Sequence, residues 1–184
     1  IVSLVPSQTE LLYDLGLGER VVGITKFCVH PKVWFENKKR VGGTKNLHLD
    51  EIRKLNPDII IANKEENTKE DIELLSSEFS VYISDIYSVQ DACQMIRAVG
   101  ELTATSQEAI AIAEKIRSEF SMLPKFKGRA LYFIWADPYM VVGEDTFIGH
   151  VMADLGFENA INKPNSRYEE IKLAEISKLK VDTI

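Results

Sequence analysis

The sequence predicts an α/β protein with two lobes, each a parallel-rich sheet flanked by helices, joined by one long rigid helix. Buried-type apolar runs alternate with amphipathic helical patterns in the first half of the chain, and the alternation resumes in the second half. Between them, residues 106–123 repeat apolar side chains at three- and four-residue steps, and such a helix would reach roughly 27 Å. We predict an N-terminal lobe over residues 1–87, linking helices over residues 88–123 and a C-terminal lobe over residues 124–184.

The chain begins with a β-α-β pattern. Residues 1–5 form an apolar, strand-like run, and the segment Ser7-Gln8-Thr9-Glu10 matches a capping box, so we expect a helix to begin at Ser7. Two glycines end that helix, and residues 21–25 predict a second strand. Residues 26–46 lack periodicity, and we predict that they form a long functional loop.

The remainder of the first half repeats the alternation. Residues 49–55 predict a helix that stops at Pro57, and residues 59–62 predict a buried strand. A further helix, capped at Thr68, leads to a strand over residues 81–84. This spacing favours a parallel sheet with helices on both faces.

The second half follows the same plan. A strand is predicted over residues 130–135, a loop over residues 136–145 and a helix over residues 146–155. Residues 173–182 agree with residues 49–58 at several leucine, isoleucine and acidic positions. The placement of this similarity in both halves indicates a duplicated architecture.

Composition limits the classes of partner. The chain has 184 residues and a net charge of −6, which argues against nucleic acid because nucleic-acid binding needs a basic surface. No apolar run approaches the ~18 residues that span a bilayer. Both ends fall in strand-like runs, so we expect an incomplete C-terminal lobe and a signal peptide or lipid anchor, if there is one, outside this sequence.

Motifs for catalysis and for metal binding are missing from the sequence. There is no Gly-x-Gly-x-x-Gly, Walker-type loop, nucleophile elbow, Cys-x-x-Cys or His-Glu-x-x-His; the nearest approach to a phosphate loop is Gly42-Gly43-Thr44-Lys45. We therefore predict no catalytic residue, no metal ligand and no resident cofactor. Cys28 and Cys93 are expected to be unpaired thiols.

Aromatic and polar residues follow several predicted strands. His30 lies between Phe27 and Trp34, and Trp135 ends the first strand of the second half, followed by Asp137. Ligands of open α/β sheets bind where the carboxyl ends of the strands form a crevice. We expect the two lobes to clamp a large, partly apolar ligand. The alternative is that the aromatic side chains only seal the contact between the lobes.

The chain resembles the periplasmic substrate-binding proteins of the cobalamin and iron-siderophore type, the partners of ABC importers, and is most similar to the cobalamin-binding kind. The resemblance is carried by the start Ile1-Val2-Ser3-Leu4-Val5-Pro6-Ser7-Gln8-Thr9-Glu10, by Gly23-Ile24-Thr25-Lys26-Phe27 through His30-Pro31, by Val41-Gly42-Gly43 before Leu49-Asp50-Glu51-Ile52, and by Leu55-Asn56-Pro57-Asp58-Ile59-Ile60-Ile61-Ala62. It implies a class III periplasmic-binding-protein fold, a small hinge motion, no catalysis, a monomer, and a periplasmic or extracytoplasmic location with or without a lipid anchor.

The resemblance also implies roles for particular residues. Phe27 matches an aromatic residue of the ligand cleft, and the segment from Trp135 to Gly143 matches the opposite wall. Thr44 and Asn63 stand where the cobalamin-binding kind has tryptophans, which would thin the stacking on a corrin. The family docks on its permease through one exposed carboxylate per lobe; Asp50 matches the first.

At the second docking position the chain has Ala174, so the carboxylate would be the neighbouring Glu175 or else Glu170.

The leading hypothesis is capture of a metal chelate, a cobalamin or related corrinoid, for an ABC permease. The alternatives are a ferric siderophore or haem, with His30 or Tyr139 as an axial ligand to haem, and a small α/β enzyme that uses Asp137 and His30 as acid and base. The predicted ligand-contact residues are Phe27, His30, Thr44, Lys45, Asn63, Trp135 and Asp137.

Overall fold

The structure is a computed structural model that describes residues 1–161 and 167–184. The chain folds into two compact units. Unit 1 comprises Ile1–Asp85 and Ala98–Ala109, and unit 2 comprises Ile86–Arg97 and Ile110–Ile184.

Unit 1 is built around a five-stranded parallel sheet. In chain order its elements are β1 (Val2–Ser3), α1 (Pro6–Asp14), β2 (Gly23–Ile24), α2 (Lys32–Asn37), β3 (Lys39–Arg40), β4 (Gly42–Gly43), β5 (Asn46–Leu47), α3 (Leu49–Leu55), β6 (Ile60–Asn63), α4 (Lys69–Ser76) and β7 (Val81–Ser84). The sheet has the order β3-β2-β1-β6-β7, and every neighbouring pair is parallel. The predicted parallel sheet is confirmed.

The central strands β1, β2 and β6 are buried, as is usual where both faces of a parallel sheet are covered, whereas the edge strands β3 and β7 are partly exposed. Val2, Leu4, Ile60 and Ile61 are completely buried. Ile52 of α3 and Leu75 of α4 pack into the same core. These positions are the apolar runs and helical stripes from which the sequence predicted the elements.

The start of α1 differs from the prediction. The helix begins at Pro6 with Val5 as its N-cap, and no side chain caps it. Proline suits the first helical position because its fixed φ is already helical and its missing N–H would have no partner there. Ser7 therefore lies inside the helix, so Ser7 and Glu10 do not form the predicted capping box, and the hydroxyl of Thr9 donates to the Val5 carbonyl (2.9 Å). Thr68 precedes α4 as predicted, also without a side-chain cap hydrogen bond.

The segment over residues 26–46, predicted as a loop, contains α2 and the short strands β3 and β4, and β5 begins at its end. Tertiary contacts specify these elements: Trp34 of α2 is only 4% exposed and meets the ring of Tyr13 edge-on, with centroids 5.3 Å apart. Strands β4 and β5 pair in an antiparallel hairpin. Gly42 in this hairpin has φ +100°, and a Cβ there would lie 2.4 Å from the carbonyl oxygen of Asn46, so only glycine fits.

Two long helices follow, α5 (Val89–Leu102) and α6 (Ser106–Ser121). The division between the units falls inside both of them. Helix α6 begins where the sequence predicted and ends two residues earlier than the predicted limit of 123. Gly100 allows α5 and α6 to approach closely, because a Cβ at this position would lie 2.3 Å from the Cβ of Ala109.

In the described part of unit 2 the strands form two small sheets. Its further elements are β8 (Arg129–Ala130), β9 (Phe133–Ala136), β10 (Tyr139–Val142), α7 (Phe147–Asp154), β11 (Glu158–Asn159), β12 (Tyr168–Glu170) and α8 (Leu173–Ile176). Strands β8 and β11 are parallel, whereas β9, β10 and β12 form an antiparallel sheet of order β12-β10-β9. The core beneath them contains Leu131, Val141 and Ile171.

Two predictions for unit 2 need correction. The predicted strand over residues 130–135 is divided between β8 and β9, and the predicted loop over residues 136–145 contains β10. The turn at Asp137-Pro138 returns the chain at once, so that Tyr139 pairs with Ala136 in a hairpin. The predicted helix over residues 146–155 is present as α7, capped by the Thr146 hydroxyl, which accepts from the Gly149 N–H at 2.9 Å.

Candidate functional site

The carboxyl ends of the parallel strands define one edge of unit 1, which we call the carboxyl edge. Because parallel strands run in the same direction, the segments that follow β1, β2, β6 and β7 all emerge there. Phe27 and His30 follow β2, and Asn63 ends β6. The structure therefore places these three predicted residues where the sheet can offer a binding surface.

Phe27 is the most exposed aromatic side chain at the carboxyl edge. It is 52% exposed, and the ammonium of Lys26 lies 5.1 Å from the centre of its ring. Gly43 packs beneath both side chains, since a Cβ there would come within 3.2 Å of each. The ring is thus supported from the protein side and leaves about half of its surface available to a ligand.

Thr44 and Lys45 form the turn between β4 and β5, which we call the β4–β5 turn. Thr44 is only 7% exposed. Lys45 is exposed, and its ammonium donates to the carbonyl of Glu65 in the segment after β6. A ligand at this turn would meet the Lys45 charge rather than the Thr44 hydroxyl.

Asn63 is committed to bonds within the protein. Its Nδ2 donates to the hydroxyl and the carbonyl of Ser84 (3.0 and 3.2 Å). Its Oδ1 accepts from the N–H groups of Glu65 and Glu66 (2.9 and 3.1 Å). Both ends of the amide therefore hold neighbouring segments of the carboxyl edge in place.

Two buried amides at this edge were not singled out from the sequence. Asn67, 5% exposed, donates to the carbonyls of Thr44 (3.0 Å) and Leu4 (3.4 Å) and accepts from the Asn63 N–H (2.9 Å). Gln8, 1% exposed, donates to the Ser84 hydroxyl. A polar side chain close after a buried strand is the only sequence signal for either residue, and loops commonly show that signal.

His30 and Trp34 have different environments. His30 is exposed and lies just before α2. Trp34 is buried by α1 contacts and by the ammonium of Lys38, 5.5 Å from its ring. Of these two residues, only His30 is accessible to a ligand.

Trp135 and Asp137 lie at the tip of the β9–β10 hairpin in unit 2. Trp135 is 63% exposed, and its indole N–H donates to the carbonyl of Asp137 at 3.0 Å. Phe133 and Tyr139 pack edge to face behind it, with ring centroids 5.7 Å apart. An almost wholly apolar groove of about 670 Å³ runs along this hairpin; it is lined by Phe133, Ile134, Trp135, Ala136, Tyr139, Leu173, Ile176 and Ile184.

Asp50, the first predicted docking carboxylate, lies at the start of α3. The Asp50 side chain is 85% exposed and accepts from Arg53 at 2.9 Å, and Arg53 also pairs with Glu78 at 2.7 Å. Next to it, hydrogen bonds from the ammonium groups of Lys39 and Lys54 lower the pKa of Glu51 to about 2.

Glu175 is exposed, and its carboxylate accepts from the Lys172 N–H at 2.9 Å at the start of α8. Glu170 is exposed at the end of β12. Both carboxylates thus remain accessible to a partner.

Metal-ligating clusters and membrane-spanning helices are both lacking from the part of the chain that the structure describes. Within residues 1–161 and 167–184, no cluster of three or more His, Cys, Asp or Glu side chains could hold a metal ion. Over the same residues, none of the helices is both long and apolar enough to cross a membrane.

The chain matches a family model described as periplasmic binding protein over residues 1–184. It is 24% identical to the vitamin B12-binding protein of Vibrio vulnificus (strain CMCP6) over 184 residues, covering 96% of this chain and 66% of that protein. The chain thus spans about two-thirds of the length of this curated relative.

Solved structures show the same fold. The periplasmic vitamin B12-binding protein BtuF of Vibrio cholerae superposes with a TM-score of 0.85 at 20% identity, covering 98% of this chain and 72% of that one. The periplasmic heme-binding protein RhuT from Roseiflexus sp. RS-1, in its apo form, superposes with a TM-score of 0.79 at 22% identity. The match covers 98% of this chain and 73% of that one. The predicted two-lobed α/β class is confirmed by these neighbours.

Proposed function

The chain belongs to the periplasmic binding protein family, and on that premise we propose that it captures a metal chelate, a cobalamin or related corrinoid, and delivers it to an ABC import permease. One observation carries the choice of ligand class: two aromatic rings are exposed. Phe27 is exposed at the carboxyl edge, and Trp135 is exposed in the apolar groove along the β9–β10 hairpin. Exposed rings of this kind suit a large, flat, partly apolar ligand.

Similar proteins support this choice. The relative and the structure with the highest TM-score cited above are both vitamin B12-binding proteins. The proposed ligand contacts are Phe27, His30, Lys45, Trp135 and Asp137, which the structure leaves exposed. Thr44 and Asn63 lie in unit 1 with Phe27, but Thr44 is buried and the Asn63 amide is bonded within the protein.

Calorimetric titration with cyanocobalamin tests the proposed ligand. We expect saturable binding of one molecule per chain. No heat of binding at high micromolar cyanocobalamin would reject the corrinoid while leaving the transport role open.

Haem is the second candidate because a heme-binding protein shares the fold and because exposed His30 and partly exposed Tyr139 can each supply an axial ligand. Adding hemin should then shift its absorption spectrum, and the shift should be lost in either His30→Ala or Tyr139→Phe. An unshifted spectrum with the unmodified protein removes haem from consideration. A ferric siderophore belongs to the same transport role, and calorimetric titration with a ferric siderophore in place of cyanocobalamin tests it.

The proposed partner is the permease. Its arginine side chains would pair with Asp50 and with Glu175 or Glu170 of this chain. In the protein Asp50 already pairs with Arg53, so docking would exchange one arginine for another. Replacing Asp50 with Arg should weaken the complex with the permease and leave the affinity for cyanocobalamin unchanged. A loss of ligand affinity would instead place Asp50 in the ligand site.

We further propose a periplasmic or extracytoplasmic monomer without catalytic activity. The enzyme alternative required an acid–base pair of Asp137 and His30. The sequence contains no nucleophile elbow, phosphate loop or metal motif that would support such an enzyme. A hydrolytic activity lost on Asp137→Asn would restore that alternative.

A further inference from the structure

Asn67 joins three segments of unit 1 at the carboxyl edge. Its Nδ2 reaches the Leu4 carbonyl after β1 and the Thr44 carbonyl in the β4–β5 turn, while its Oδ1 accepts the Asn63 N–H at the end of β6. Its own N–H donates to the Asn63 carbonyl at 3.0 Å. Because the side chain is 95% removed from solvent, water cannot readily replace these partners.

The hairpin that carries the β4–β5 turn is hydrogen-bonded to segments on both of its sides. On one side, the Lys26 N–H donates to the Gly42 carbonyl at 2.8 Å, which attaches the turn to the segment that carries Phe27. On the other side, the turn is attached to the segment after β6 by Asn67 and by Lys45, which is bonded to the Glu65 carbonyl. Of these last two bonds, the one from Asn67 is buried and the one from Lys45 is exposed.

We propose that Asn67 is a positioning residue: its Nδ2–H bond to Thr44 fixes the β4–β5 turn and, through that turn, the placement of Lys45 and Phe27 toward the ligand. The inference rests on the proposed binding function. Asn63 supports it from behind, because its N–H holds the Asn67 oxygen and its own amide is anchored on Ser84.

The substitution Asn67→Asp isolates the proposed bond. One carboxylate oxygen can still accept from the Asn63 N–H, but the other would face the Thr44 carbonyl, and two acceptors repel each other. Because the site is buried and a carbonyl oxygen faces it, we expect the pKa of the new carboxyl to be raised, so that protonation at pH 5 restores a donor at that place. The loosening of the β4–β5 turn in this variant should therefore reverse on acidification. A general loss of packing would not reverse in this way.

Charged groups on the adjoining segments are Lys26, Lys45, Lys64, Glu65 and Glu66. These groups are the same in the original protein and in each variant. Dividing the exchange rate or the Kd of a variant by that of the original protein at each pH therefore removes their common contribution. A matched control is Asn37→Asp, since the Asn37 amide also donates to a carbonyl, that of Val33 at 2.8 Å, but on exposed α2.

The first measurement is hydrogen exchange of the amides of residues 44–46 without ligand, corrected for the intrinsic pH dependence. In Asn67→Asp at pH 7.5 we expect these amides to exchange at least about tenfold faster than in the original protein, returning to within about threefold at pH 5. Amides of β6 and β7 and the control should change little. Unchanged exchange in the β4–β5 turn at pH 7.5 overturns the proposal.

The second measurement is calorimetric affinity for cyanocobalamin at the same two pH values. We expect about tenfold weaker binding by Asn67→Asp at pH 7.5 and recovery at pH 5, with no loss in the control. Equal affinities despite faster exchange would overturn the positioning role. If the original protein binds no cyanocobalamin, the corrinoid proposal fails on its own, and hydrogen exchange still decides whether Asn67 holds the turn.

A fallback keeps the test decisive if Asn67→Asp does not fold at pH 7.5. Asn67→Ala removes the donor without adding charge. Exchange should then rise at residues 44–46 by at least about tenfold more than in the centre of β6. An equal rise in both places would show general destabilisation and contradict the proposal.

Discussion

Removing the Phe27 ring should weaken ligand binding much more than removing a comparable ring elsewhere. A fully covered aromatic side chain buries about 150–250 Å², so the exposed half of Phe27 offers a ligand about 100 Å². At about 25 cal/mol per Å², covering that area contributes at most about 2.5 kcal/mol, or about 60-fold in Kd. Because a ligand covers one face of the ring, we expect Phe27→Ala to weaken cyanocobalamin binding by about 5- to 60-fold.

The matched control is Phe126→Ala. Phe126 is 45% exposed, and its ring stacks on Phe157 at 5.0 Å, outside the proposed surfaces. Both variants lose a half-buried ring, so each should lower the free energy of unfolding by about 1–2 kcal/mol. Only Phe27→Ala should lower the affinity measured by calorimetry. Affinities within twofold for Phe27→Ala and the original protein would refute the role of the ring, as would an equal loss in the control.

Three further outcomes follow from the described contacts. Gly42→Ala should lower the unfolding free energy by at least about 2 kcal/mol in urea titrations, because φ is +100° and the added Cβ would meet the Asn46 carbonyl; no change would show that the hairpin can shift. The lowered pKa of Glu51 gives stability that is present above about pH 4.5 and lost as the pH falls toward 2; Glu51→Gln should flatten that part of the pH profile, and an identical profile would contradict the two lysine bonds. Trp135→Ala should weaken cyanocobalamin binding by about tenfold while the thermal midpoint changes by only a few degrees, since the ring is 63% exposed; a large fall in the midpoint would identify the ring as a core residue.

The sequence predicted the parallel sheet of unit 1 because its signals are local. Ile60, Ile61 and Ala62 form a run of completely buried residues, and Ile52 and Leu75 lie on clear helical stripes. Buried strands of this kind show continuous apolar runs in any parallel sheet. The helix α6 was predicted for the same reason, since its stripe extends over several turns.

The shorter elements could not be predicted because contacts distant in sequence determine them. Helix α2 has six residues and depends on Trp34 packing against Tyr13, and β4 and β5 have two residues each. Such segments have too few positions to show a period. In the β9–β10 hairpin, the turn at Asp137-Pro138 masked a strand pattern in the four residues that follow it.

The residues of the candidate site likewise differ in whether a local sequence signal could predict them. Exposed aromatic residues after strands, Phe27 and Trp135, stand out in the sequence because their side chains are large and their positions follow apolar runs. Asn67 does not, because its importance comes from three partners that are between four and sixty-three positions away along the chain. Buried polar bonds of this kind depend on the folded structure and leave little trace in a local pattern.

Native mass spectrometry of the protein mixed with equal amounts of cyanocobalamin and hemin tests most directly whether the chain captures one bulky chelate. We expect a monomer that carries a single cyanocobalamin and retains it at low collision energy. A spectrum with only the unliganded protein, under conditions in which a known vitamin B12-binding protein keeps its ligand, would contradict it.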